Sequence, residues 1–268
     1  MTAVYALRLK KQKEAEQYWL EAFRSDTGIV NYLRLAAEST DFSVYKEEAG
    51  KMTEICFQAS GKERSYQNRE DELCENRMDE QMYHMLTFFN GRFRKTVKDG
   101  MAEKGGLGWS FTFMKDGIAL FLLYLYQGDH LPVGCREMCG KVCQSASFTA
   151  DEYSHGLCRV VGTDSMELFW ECFRKWKAVT PMTENDTVWI LEKLEVWIRI
   201  RVEGIMQGNY RNHYGECAAF IAAFGEVRES RGVVNGKANL MNAYKEAYSR
   251  RSAFHRKLRE FGMKDGKR

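Results

Sequence analysis

KEAEQYWLEAFRSDTGIVNYLRLAAEST, residues 13–40, decides the fold class. Ala15, Tyr18, Trp19, Ala22 and Phe23 recur at spacings of three and four, the repeat of one helix face. Asp26-Thr27-Gly28 interrupts the run, and Ile29, Tyr32, Leu33 and Ala36 resume it. The stretch predicts a helix, a short turn and a second helix. A third helix begins near Asp41, whose carboxylate can cap it, and runs through Val44, Tyr45 and Met52 to Phe57.

The same periodicity continues outward. It predicts helices over 79–101, 111–127, 133–146, 150–160, 164–176, 185–206, 211–230, 237–248 and 252–261. Gly208-Asn209 and Arg231-Gly232 supply stops, because Gly and Asn tolerate the left-handed conformation at a helix end. Pro132 and Pro181 are the only two prolines, so long stretches lack the strongest helix breaker. β-Branched clusters such as Val160-Val161 are too short to found a sheet. The chain reads as all-α.

An echo at an offset of 225 links Trp19-Leu-Glu21-Ala22-Phe23 to Tyr244-Lys-Glu246-Ala247-Tyr248, and it carries on as Ile29 to Phe254 and Leu33 to Leu258. A third copy is Phe169-Trp-Glu171-Cys172-Phe173. A small residue between two aromatics lets a neighbouring helix approach while the rings fill its grooves. The expected architecture is an irregular α-solenoid of helical-hairpin repeats with one continuous core over 1–268. The polar, charged segment 61–74 separates two candidate lobes, N-terminal hairpins over 1–60 and a main helical array over 75–268.

Composition narrows the function classes. Hydrophobic residues make up 44% and charged residues 29%, an ordinary globular balance. The most apolar window, Ile118–Tyr126, falls well short of the roughly 20 residues a spanning helix needs, so a membrane role is not expected. No basic start leads into an apolar run and cleavage site at the N-terminus, which points to the cytoplasm, where eight cysteines stay reduced. From Arg228 to Arg268, twelve Lys/Arg face four Asp/Glu, a net +8 that leaves −5 for the remainder. Arg250, Arg251, Arg256, Lys257 and Arg259 are candidate nucleic-acid contacts there, although Phe254, Leu258 and Phe261 form an apolar face that should dock the same helix.

GCREMCGKVCQ, residues 134–144, holds the densest set of chemical side chains. Spacing four lays Cys135, Cys139 and Cys143 along one helix stripe, and the outer two Cα atoms lie about 12 Å apart. Two thiolates sharing one zinc sit within about 4.6 Å, so Cys135 and Cys143 cannot share an ion on an intact helix. Cys135 and Cys139 with His155 and Cys158 are the residual metal candidate, and packing of small apolar side chains is the favoured reading.

No catalytic residue, cofactor or metal is assigned. None of the five histidines lies in an H-E-x-x-H helix or beside a glycine-flanked serine, and no phosphate-binding loop is present. Glu192, Glu195 and Glu203 are interleaved with Lys193, Arg199 and Arg201, the pattern of a solvated, salt-bridged face.

YRNHYGECAAFIAAFGEVRESRG (210–232) and LMNAYKEAYSRRSAFHRKLREFG (240–262) resemble the C-terminal helical region of bacterial SWIM zinc-finger proteins, and GGLGWSFTFMKDGIALFL (105–122) is similar to an upstream part of it. EAEQYWLEAF (14–23) resembles a tetratricopeptide hairpin. The C-x-C and C-x-H pair that defines the SWIM finger is absent from the sequence, so the resemblance implies the helical part alone, without the finger's zinc or DNA role. The expected function is a helical-repeat interaction scaffold without enzyme activity, holding a protein or peptide partner through Trp109, Trp176, Trp189 and Trp197. A nucleic-acid-associated protein using the basic C-terminal helices and a zinc-binding structural protein are the alternatives.

Overall fold

A computed structural model describes residues 2–62, 78–101, 109, 112–157 and 164–264. Among the described residues there are fourteen α-helices and no strand. In chain order they begin with α1 (Ala3–Arg8), α2 (Gln12–Ser25), α3 (Ile29–Glu38), α4 (Ser43–Lys62), α5 (Glu80–Phe89) and α6 (Phe93–Lys95), the last running into a π turn over Thr96–Gly100. Next come α7 (Met114–Leu125), α8 (Val133–Ser145), α9 (Ala150–Ser154) and α10 (Ser165–Val179). The chain closes with α11 (Glu184–Gln207), α12 (Tyr214–Ser230), α13 (Gly236–Ala247) and α14 (Ser252–Glu260). No helix among the described residues is long and apolar enough to cross a membrane.

The helices fall into two compact units. One comprises Met1–Gly100 and Cys143–Met182, the other Met101–Val142 and Thr183–Arg268. Polar caps set many of the boundaries, as sequence spacing suggests. Asp79, Thr149, Asp164 and Thr183 each accept a hydrogen bond from a backbone N–H of the following first turn.

In the first unit α3 is the central helix, with Ile29 through Ala36 buried without a break. It is covered by α2, α4, α5, α9 and α10. A helix buried on all sides must have its polar side chains answered internally. Asn31 donates to the Asp26 carbonyl at 2.9 Å, and Tyr32 donates to the Phe89 carbonyl at 2.8 Å. Arg34 donates to the carbonyls of Glu152 and Tyr153, so its charge stands at the C-terminal end of the short helix α9. Burial holds the Arg34 guanidinium below its ordinary pKa.

Between α3, α5 and α10 lies an aromatic cluster. The Phe89 and Trp176 rings meet edge to face at 4.7 Å, and Trp176 Nε1 donates to the Phe89 carbonyl at 2.7 Å. Glu16 closes the outer side of this unit. Its carboxylate accepts from Thr40 N and Oγ1, both at 2.8 Å, and from the Tyr45 hydroxyl at 2.9 Å. Burial pushes the Glu16 pKa up, and these hydrogen bonds together outweigh it and leave the group below its ordinary value.

The second unit is built around α12, which is buried from Cys217 to Val227 and touches α7, α11, α13 and α14. Its alanines and glycine permit close helix approach. A Cβ on Gly134 of α8 would come within 2.5 Å of the Ala223 backbone nitrogen, and one on Gly225 within 2.5 Å of Lys237 Cα. Glu226 sits at this junction. It accepts from the backbone N–H groups of Gly134 and Cys135 at 3.0 and 2.8 Å and from Lys237 Nζ at 2.6 Å.

One helix expectation needs correction. The helix expected over 79–101 breaks at Asn90-Gly91, where Gly91 has φ of +73° and packs so closely that a Cβ would lie 2.8 Å from Thr180 Cγ2. The two ends of the internal echo both form a helix, a short turn and a helix, as α2–α3 and α13–α14. Their roles differ, however: Trp19 and Phe23 are buried, whereas Tyr244 and Tyr248 are only half-buried. Residues 63–74 of the polar segment lie outside the described residues.

Candidate functional site

A groove of about 490 Å³ with a largely apolar lining lies in the second unit. Its formation follows from helix patterning. Helix α11 is 24 residues long, and Ile190, Leu194, Trp197, Ile198, Val202 and Ile205 form its buried stripe. Helix α13 packs on α12 through the close approach at Gly225. Both helices lean on α12 and leave a furrow between them. Phe224 contributes to the lining from α12, Val196 and Ile198 from α11, and Leu240 and Tyr244 from α13.

Charge enters from the α11 side alone, through Glu192, Glu195 and Arg199. Arg199 is answered by Glu203 at 3.8 Å. Glu192 and Glu195 form no ion pair among the described residues. The phenol of Tyr244 is pushed well above its usual pKa, first by burial and then by Tyr248, Glu195 and Glu203. The potential of the carboxylates therefore reaches into the groove.

The four candidate tryptophans are placed differently. Trp109, Trp176 and Trp197 are buried, which corrects the expectation that they contact a partner: each ring is spent on internal packing. Trp189 is half-buried, and by helical register it lies on the same face of α11 as Val196. Of the four, it alone can extend an accessible apolar surface beside the groove.

Arg201 is the residue that the charge pattern misplaces. It is 1% exposed, not solvated. Its Nε and Nη2 donate to Glu216 Oε1 at 2.9 and 2.6 Å, Lys115 reaches the other carboxylate oxygen at 2.7 Å, and the Trp109 ring covers the guanidinium at 5.6 Å. The register held the signal, since 201 lies four residues after Trp197 and four before Ile205, on the buried stripe.

The cysteine ladder is internal. Cys135 and Cys139 are buried in α8, and Cys143 is 8% exposed and donates to the Phe148 carbonyl at 3.4 Å. Cys135 donates to the Ala223 carbonyl at 3.8 Å. His155 is exposed and belongs to the other compact unit, while Cys158 lies outside the described residues. No group of three or more His, Cys, Asp or Glu side chains is arranged to hold a metal ion among the described residues.

Burial pushes the Cys135 and Cys143 thiols up, and it holds Cys172 and Cys217 at about 12. All four should remain thiols at pH 8, and thiols are poor nucleophiles. Iodoacetamide labelling read by peptide mass spectrometry is expected to leave these positions unmodified until denaturant is added. Rapid labelling of Cys172 or Cys217 in native protein would contradict this.

Of the basic candidates, Arg250, Arg256 and Arg259 are exposed. Arg251 is tied to Asn209 Oδ1 at 2.6 Å and the Met206 carbonyl at 3.0 Å, and Lys257 is paired with Glu260 at 2.9 Å. Arg251 and Lys257 are thus engaged within the second unit. Compared with known protein families, curated proteins and solved structures, the chain matches none.

Proposed function

We propose that this protein is an interaction scaffold made of irregular helical hairpins, and that it holds a helical segment of a partner protein in the groove between α11 and α13. The observation that carries the proposal is the groove itself. Val196, Leu240 and Tyr244 stand only half-buried over Phe224, so an apolar surface stays partly wet unless something covers it. Burying such surface against an apolar partner face is favourable by roughly 25 cal/mol per Å² before the costs of association. The walls run along two helices, a shape suited to a third helix laid between them.

The reading is tested by affinity capture with the full chain against a Leu240→Trp variant, which fills the groove with neutral bulk. Leu240 is half-buried, so the variant should fold. A partner retained by the native chain is expected to be lost from the variant and to slow amide exchange in α11 and α13. A partner that binds both proteins equally and leaves exchange in those helices unchanged overturns the assignment.

A further inference from the structure

We infer that the segment held in this groove is an amphipathic helix carrying arginine or lysine one turn from its apolar anchor, an inference that rests on the groove being the binding site. The two walls differ in kind. The α13 wall is neutral, with Leu240 and Tyr244 lining it and the exposed alanines 243 and 247 beside them. The α11 wall carries Glu192 and Glu195, two carboxylates that form no ion pair among the described residues, while its one cation, Arg199, lies nearest the Glu203 carboxylate at 3.8 Å.

An occupant must meet that asymmetry. Covering Glu195 with purely apolar surface strips water from a carboxylate and returns nothing. An acidic segment meets like charge, which disfavours it further. A guanidinium or ammonium gains twice, by pairing with Glu195 and by lying against the electron-rich face of Tyr244. Glu195 and Tyr244 both line the groove, so the two groups face the same space.

The dimensions favour a helix over an extended strand. Glu192, Glu195, Val196 and Arg199 follow one another at helical spacing along the wall, which covers about 10 Å or two turns. A facing helix presents side chains at i, i+3 or i+4, and i+7 over the same distance. Its apolar anchor fits over Phe224 and Leu240, and its cation falls one turn away against Glu192 or Glu195.

The test is selection of a displayed library of short helical peptides, randomised on one face, against the full chain. The selected pool is then measured against the Glu192→Gln/Glu195→Gln double variant and against Leu240→Trp. Enrichment of arginine and lysine beside a leucine or aromatic anchor is expected. Binding to the double variant should be about tenfold weaker at low salt, with the gap narrowing as salt is raised.

A pool without charge preference, or one binding the double variant as tightly as native protein, overturns the cation inference. It leaves the groove reading standing if Leu240→Trp still abolishes binding. A pool indifferent to Leu240→Trp, or no pool at all, overturns both.

Discussion

Replacing Glu216 with leucine is expected to destabilise the protein by about 3–5 kcal/mol, because it removes the carboxylate paired with the buried Arg201 guanidinium. Arg201 is 1% exposed, and Glu216 supplies the acceptor for both its Nε and its Nη2. Lys115 cannot take over, since it adds a second cation to the site. The double replacement Arg201→Met with Glu216→Leu should recover most of the loss, since an apolar pair of similar volume is often no worse than a buried ion pair. Urea unfolding of the two single variants and the double closes the cycle. Equal stability of Glu216→Leu and native protein would falsify the assignment of Arg201 as a buried, paired cation.

The same pair makes stability depend on pH. Burial alone raises the Glu216 pKa, but the hydrogen bond from Lys115 and the charge and hydrogen bond of Arg201 outweigh it and leave the folded value depressed. The ionised carboxylate therefore stabilises the fold at every pH above the unfolded carboxylate range. That contribution disappears as the pH falls through the depressed folded value. The double variant should lack this component of acid sensitivity.

The second large effect is expected at Trp176. Its indole is fully buried, meets Phe88, Phe89 and Phe173, and donates to the Phe89 carbonyl. Trp176→Ala should cost about 3–5 kcal/mol, the range for emptying a large aromatic site that collapses only in part. The Phe89 carbonyl keeps the Tyr32 hydroxyl as a donor, so the loss is mainly one of packing and not of an orphaned acceptor. Amide exchange in α5 and α10 should accelerate accordingly. A variant with native stability and native exchange in those helices would mean that the indole is not the keystone of that cluster.

Much of the fold was legible because helix signals are local. The three-and-four spacing of apolar residues placed most of the helices, and the rarity of proline left long runs uninterrupted. The break at Gly91 escaped notice because it depends on a distant partner, Thr180, whose methyl leaves no room for a side chain there. Arg201 escaped because composition and register disagreed, and register was the better guide. The central positions of α3 and α12 escaped because an all-round apolar helix declares burial but not which helices cover it. The groove lay furthest from view. Its walls come from α11 and α13, which meet through α12, and no spacing within either helix encodes that arrangement.

The division into Met1–Gly100 with Cys143–Met182, and Met101–Val142 with Thr183–Arg268, bears on how the chain is made. Neither half of the molecule is contiguous, so a ribosome never finishes one before starting the other. Helix α3 must wait for α10, about 140 residues later, before its last aromatic cover emerges. At roughly 5–20 residues per second that delay is on the order of ten seconds. Apolar α7 waits similarly for α12. Between the synthesis of α7 and that of α10, the nascent protein therefore carries two incompletely covered apolar helices at once.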